Sequence, residues 1–233
     1  MDLDPQGHLA IGLGHNPNTL HLTVANLLYS TINGISIQDK DMLLPISENL
    51  DLLPSNRKLM GVSERLAFAQ NRDWLDSEGP RSEECLRQVL EPYREQYDYI
   101  LIDCQPNVSI LTRNALVAAD SVLLPIEAHY LAFEGLSETM DIIAMIREHF
   151  NPGLQVKGIL FTKYQSRTNL CKRIREDVED AYTDRVRIFS EPIAFSIRAA
   201  EQSAAGLSIF DYDKKSSVAS SYLALAKEVM GCV

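Results

Sequence analysis

Residues 97–126 read YDYILIDCQPNVSILTRNALVAADSVLLPI. Two short, continuous apolar runs stand out, YDYILID ending at Asp103 and SVLLPI at 121–126. Apolarity that does not alternate marks strands covered on both faces, as in a parallel sheet. KGILFT (157–162) is a third run of this kind, and VRIFSEPI (186–193) is a further strand candidate. Helical patterns lie between and around them. Leu136, Met140, Ile143 and Phe150 share a face in a segment stopped by Asn151-Pro152-Gly153. Leu170, Ile174, Val178 and Ala181 mark a second helix, and Val218, Tyr222, Leu225 and Val229 a third. Strands alternating with helices predict an α/β fold, a mostly parallel sheet with helices on both faces.

The N-terminal half is less regular. Leu20, Val24, Leu27 and Leu28 form one helical stripe, and Leu86, Val89, Leu90 and Tyr93 another. ENLDLLPSN (48–56) predicts a short strand ending at Pro54. Residues 57–84 predict helix on the anchors Leu59, Val62, Leu66 and Phe68, with a loop at Ser77–Pro80. No repeat or low-complexity tract interrupts the chain, and residues 1–233 predict a single domain.

The chemistry-bearing residues fall at predicted strand ends. In open parallel sheets ligands bind beyond the carboxyl ends of the strands. Asp103 closes one strand, and Asp2 and Asp4 in MDLDPQG would close another if a strand precedes them. An Asp after a buried apolar strand can hold Mg²⁺, directly or through water, beside a nucleotide phosphate. It can equally cap the next element, and the local pattern leaves both open.

Composition narrows the classes. Net charge is −10, with 10 basic against 22 acidic residues in 1–154 and 12 against 10 in 155–233. A uniformly basic nucleic-acid binder is excluded, while a local basic patch in the C-terminal third is not. Cys85, Cys104, Cys171 and Cys232 are scattered, which fits a reduced cytoplasmic protein without a zinc site. No apolar run is long enough for a transmembrane helix, and the KEVMGCV ending lacks a basic amphipathic face, so no membrane attachment is expected. His129 and His149 stand alone, and Trp74 reads as a local anchor.

The chain resembles the ParA/Soj group of partition ATPases, cousins of MinD. Asp-Leu-Asp-Pro-Gln-Gly at 2–7 is similar to that group's second-strand motif, and residues 97–126 to its Asp-Cys-Pro-Pro segment and following strand. LAFEGLSETMDII, KGILFTKYQSRTNL and IFDYDKKSSVASSYLALAKEV also have counterparts, so the resemblance runs from residue 2 to about 230. It implies a P-loop NTPase-like fold, ATP and Mg²⁺ as cofactors, and Asp4 orienting the water that attacks the γ-phosphate. It implies Asp2 and Asp103 as the carboxylates supporting Mg²⁺. Arg198 falls at an arginine of a family segment whose basic residues contact DNA without reading sequence; a surface ion pair to Glu201 is the plainer reading. The implied partners are a second copy in a homodimer, non-specific DNA and a ParB-type protein, and the implied place is the nucleoid.

Departures from the group are specific. Its members carry a strand, a glycine-rich lysine loop and a helix ahead of Asp-x-Asp-Pro-Gln. Here G-x-x-x-x-G-K-[ST] occurs nowhere, and Gly12-Leu13-Gly14 is followed by no Lys-Ser/Thr pair. Such a loop aims backbone N–H groups and a lysine at the phosphates. Without it no phosphate-binding residue can be assigned, and the 233 residues alone are expected to be a poor ATPase and marginally stable. An internal methionine taken as Met1 is the favoured explanation; a remnant acting as an interaction protein and a MinD-like relative positioning another cargo are the alternatives. Gln105 replaces a proline, and Ala194-Phe195 replace Pro-Arg ahead of Arg198. Thr168 or Asn169 is expected to cap the helix that follows.

Overall fold

The computed structural model describes residues 1–35, 42–69, 81–130 and 132–231. Trp74, the predicted Ser77–Pro80 loop and Cys232 lie outside them. The chain divides into two compact units, Met1–Ala119 and Asp120–Val233.

The first unit is organised around residues 1–3. The Met1 amine donates to Leu101 O at 2.7 Å, Asp2 N to Leu53 O at 3.0 Å and Leu3 N to Asp103 O at 2.9 Å. Successive donors therefore point to opposite sides, as in a strand flanked by two others. The pairing of Asp2 with Asp103 is parallel. A hairpin of β1 (Leu44–Ser47) and β2 (Leu50–Leu52) leads into Leu53. The predicted 48–56 strand is thus present as β2, while β1 carries Pro45, which hides a strand from pattern reading.

Helices pack on this frame: α1 (His8–Gly12), α2 (Val24–Ile32), α3 (Lys58–Ala69), α4 (Cys85–Leu90) and α5 (Ile110–Ala118). The stripes predicted on α2 and α4 are buried at Val24, Leu27, Leu28, Leu86, Val89 and Leu90. Together with Leu3, Leu59 and Leu66 they form one core, where each such side chain contributes roughly 1.5–3 kcal/mol. Phe68, predicted as an anchor of α3, is instead 75 % exposed.

Polar groups fix α5. Ser109 caps it by accepting from Thr112 N at 3.3 Å. Fully buried Asn114 accepts from Leu86 N and donates to Ser82 O and Ile110 O, tying α5 to the start of α4. Arg87 and Arg94 donate to Val117 O and Ala118 O, satisfying carbonyls that a helix C-terminus leaves open.

The second unit is a βαβ layer. β3 (Ser121–Glu127) pairs in parallel with β4 (Gln155–Thr162), with α6 (Ala132–His149) as the crossover. Residues 187–195 run along the far side of β4 through parallel bridges Ile159–Ile188 and Tyr164–Ala194, which is where the VRIFSEPI prediction falls. Gly158 permits that approach: a Cβ there would lie 2.7 Å from the Phe189 ring. α7 (Asn169–Tyr182), α8 (Ile197–Ala205), α9 (Ile209–Tyr212) and α10 (Ser217–Val229) complete the unit. Buried Glu228 of α10 accepts from Arg187 at 2.7 Å and Ser190 at 2.6 Å, anchoring the 187–190 backbone. On α7 Ile174 and Val178 of the predicted stripe are buried, joined by Cys171, while Leu170 is exposed; on α10 Val218 is buried and Leu225 and Val229 pack against the same cluster, while Tyr222 is exposed. Thr168 occupies the N-cap of α7 but makes no side-chain cap bond; its hydroxyl donates to Gln165 O.

Candidate functional site

The turn Asp4–Gly7 follows the extended residues 1–3, which carry the isolated Asp2–Asp103 bridge. Asp4 Oδ1 accepts from Gln6 N at 2.9 Å, and Asp4 O accepts from Gly7 N at 3.0 Å. Gly7 has φ +68°, and a Cβ on it would meet Pro17 Cβ at 2.7 Å and Ser55 O at 3.0 Å. Only glycine suits this place. The turn delivers the chain straight into α1, whose first residue is His8.

Asp2 is fully buried. Its Oδ1 accepts from Asp4 N at 3.0 Å, while Oδ2 is buried without a hydrogen-bond partner. Burial pushes its carboxyl above the usual range; the bond from Asp4 N–H opposes this, and the Asp103 and Asp4 charges add to it. Asp103 as a residue is exposed, yet partial desolvation of its carboxyl raises it, with the Met1 amine opposing, Asp4 adding and His8 opposing. The Met1 amine is itself lowered by burial, against the pull of Asp2 and Asp103. Asp2, Asp4 and Asp103 therefore feel one another around the Asp2–Asp103 bridge. The thiol beside them is not poised for nucleophilic work, because burial and then Asp103 push Cys104 to about 11.

This arrangement suits a cation. Three mutually repelling carboxylates, one with an unpartnered buried oxygen, are relieved by a divalent ion. Among the described residues no three His, Cys, Asp or Glu side chains converge to hold a metal by themselves. Mg²⁺ is commonly bound by one or two carboxylates with water and phosphate oxygens completing its shell.

The segment predicted as a strand at 97–104 forms no regular strand, its sheet pairing being the isolated bridge of Asp103 to Asp2. Ile100 and Ile102 are half-buried, but Tyr99 and Leu101 are 61 % and 77 % exposed. One face of this segment is covered rather than both. Among the described residues, no backbone hydrogen bond reaches Ile100 or Ile102.

Arg198 lies in the second unit, on the first turn of α8. Its partner is Asp213 at 2.9 Å, not Glu201, which instead accepts from Tyr212 at 3.3 Å. Asp213 is followed by exposed Lys214 and Lys215. Sequence reading passed over these two lysines, as it passed over His8 and the Met1 amine. A consecutive basic pair was visible, whereas the closeness of His8 to Asp103 depends on the Asp4–Gly7 turn.

Parallel strands tipped by carboxylates, with covering helices, are the fold of P-loop NTPases. Residues 1–156 match the family described as an AAA domain. The sporulation initiation inhibitor protein Soj of Bacillus subtilis (strain 168) is 34 % identical over 98 % of this chain and 84 % of its own length. The chromosome partitioning protein ParA of Myxococcus xanthus is 35 % identical over 99 % and 76 %. Among solved structures, cobyrinic acid a,c-diamide synthase from Mycobacterium smegmatis with an ATP analogue and magnesium aligns at TM-score 0.71 and 30 % identity, over 88 % of this chain and 76 % of that one. The chain belongs to the ParA/Soj family of ATPases.

Proposed function

We propose that the protein serves chromosome or plasmid partitioning as a ParA-type nucleotide switch. ATP would join two copies, the pair would bind DNA non-specifically, and hydrolysis prompted by a ParB-type partner would release it in the cytoplasm, at the nucleoid. The observation that carries this reading is the parallel pairing of Asp2 with Asp103, with Asp4 one turn away, in a chain 34 % identical to Soj.

Asp2 and Asp103 would hold Mg²⁺, which when bound neutralises charge on phosphate oxygens. Asp4, tied by its Oδ1 to the Gln6 amide, keeps Oδ2 to orient a water and take its proton. His8 lies near enough to Asp103 to oppose the rise of its carboxyl. Arg198, with Lys214 and Lys215 beyond its Asp213 partner, supplies phosphate contacts, which give affinity without sequence choice. The lysine loop that cradles phosphates does not occur in these 233 residues, so turnover needs those donors from outside them.

DNA binding by the protein from its native cells, with and without ATP and across a salt series, tests the switch. ATP-dependent binding that weakens steeply with salt supports it; binding indifferent to both overturns it. A second reading rests on the missing G-x-x-x-x-G-K-[ST] pattern: a non-enzymatic interaction protein of the same ancestry. It predicts a partner complex without nucleotide binding.

A further inference from the structure

α2 and α3 start side by side: Val24 N donates to Pro54 O, and Asn56 Nδ2 reaches back to Leu20 O. Between them lies a half-open groove of about 370 Å³, lined by Ala25, Asn26 and Tyr29 of α2 and Lys58, Gly61 and Arg65 of α3. Its polar groups all offer hydrogens. Asn26 Oδ1 is taken by Thr23 N at 3.0 Å and Thr23 Oγ1 at 3.3 Å, which leaves the amide NH₂. Lys58 Nζ touches only the His21 carbonyl at 3.4 Å, and Arg65 lies over the Tyr29 ring at 4.9 Å. Among the described residues neither cation has a carboxylate partner. Residues 1–154 carry twelve more acidic than basic side chains, so two unneutralised cations on one face are an unusual placement.

The spacing specifies an occupant. Lys58 and Arg65 are seven residues apart on one helix, two turns or about 10 Å. Gly61 sits between them, and a Cβ added there meets nothing within 4 Å. With Ala25 opposite, the groove floor is low enough for a third helix to approach closely. Exposed Phe68, 75 % accessible and three residues beyond Arg65, adds apolar surface along α3. A small anion would use one end of this surface; a helix uses all of it.

We propose that the α2–α3 groove docks an acidic amphipathic helix of a partner protein. Two of its carboxylates, seven residues apart, meet Lys58 and Arg65, and an apolar side chain between them sits over Gly61. This site is independent of the nucleotide reading above.

The test uses a fluorescein-labelled, alanine-based helical peptide with two glutamates seven residues apart and leucines between them, titrated into the full chain at low ionic strength. Binding is expected, weakened about tenfold or more by the double variant K58E/R65E. The same peptide with lysines for glutamates should then bind that variant and not the parent. Gly61→Phe should block binding while far-UV circular dichroism and Tm persist, because its side chain enters open space. No binding to the parent, or a charge-reversed pair that fails to exchange partners, overturns the proposal. So does inorganic pyrophosphate binding lost in K58E/R65E where the peptide does not bind, which assigns the groove to a small anion.

Discussion

Asp2 and Asp103 face one another across a parallel bridge, with Asp103 N donating to Met1 O at 3.0 Å and Leu3 N donating to Asp103 O at 2.9 Å. Two carboxylates at adjacent strand ends repel, and one of them is buried. Their proximity is costly to the isolated fold and useful to a bound cation.

That cost is measurable. Asp2 is held above its ordinary range by burial, so the folded chain favours its neutral form. Such a group loses stability as pH rises from the ordinary carboxylate value through the raised one, and its penalty is complete above both. Asp2→Asn removes the titration. Thermal melts without added divalent ions should show a higher Tm for Asp2→Asn at neutral pH, the gain fading as pH falls toward 4. An equal or larger gain in acid would contradict the burial of Asp2.

Gly7→Ala tests the turn that aims Asp4. The substitution must hold φ +68° and place Cβ 2.7 Å from Pro17. Left-handed backbone alone costs roughly 1–2 kcal/mol, and the clash adds to it. A Tm lower by several degrees is expected; an unchanged Tm would mean that the turn is not as described.

Asn114→Leu tests the polar joint beneath α5. The change keeps the γ-branched shape, though not the volume, and leaves Leu86 N and Ser82 O without their buried partner. Each stranded group costs about 1–3 kcal/mol, so urea denaturation should show a midpoint well below that of the parent.

The regular parts of this fold were legible because their signals are local. β3, β4 and α6 follow from runs and stops that any parallel layer imposes, and α2 and α4 from stripes that are buried where expected. The exposure of Leu170 and Tyr222 was not, nor the burial of Cys171, Ala219 and Glu228, the last of which is buried where Arg187 and Ser190 reach it. In the site, Asp2, Asp4 and Asp103 could be read from strand ends. Asn114 could not, since a polar residue inside an apolar helix pattern shows its partners only after α4 packs on α5.

Arg198 and Asp213 set a direction for DNA binding. The exposed pair itself contributes little stability, yet it holds a carboxylate against the proposed phosphate contact. Asp213→Asn should tighten non-specific DNA binding. Arg198→Ala should weaken it uniformly across sequences and reduce the log–log salt slope by about 0.9. Fluorescence anisotropy with two unrelated duplexes checks both, and a sequence-dependent loss would argue for base reading instead.

The most direct measurement is ATP hydrolysis by the protein purified from its native cells, with and without Asp4→Ala. In the role proposed for it, Asp4 would orient and deprotonate water without holding the nucleotide. The account predicts a fall of about a hundredfold or more in turnover, with Mg²⁺-dependent ATP binding retained. Unchanged turnover in Asp4→Ala, or no hydrolysis by the parent protein, would contradict it.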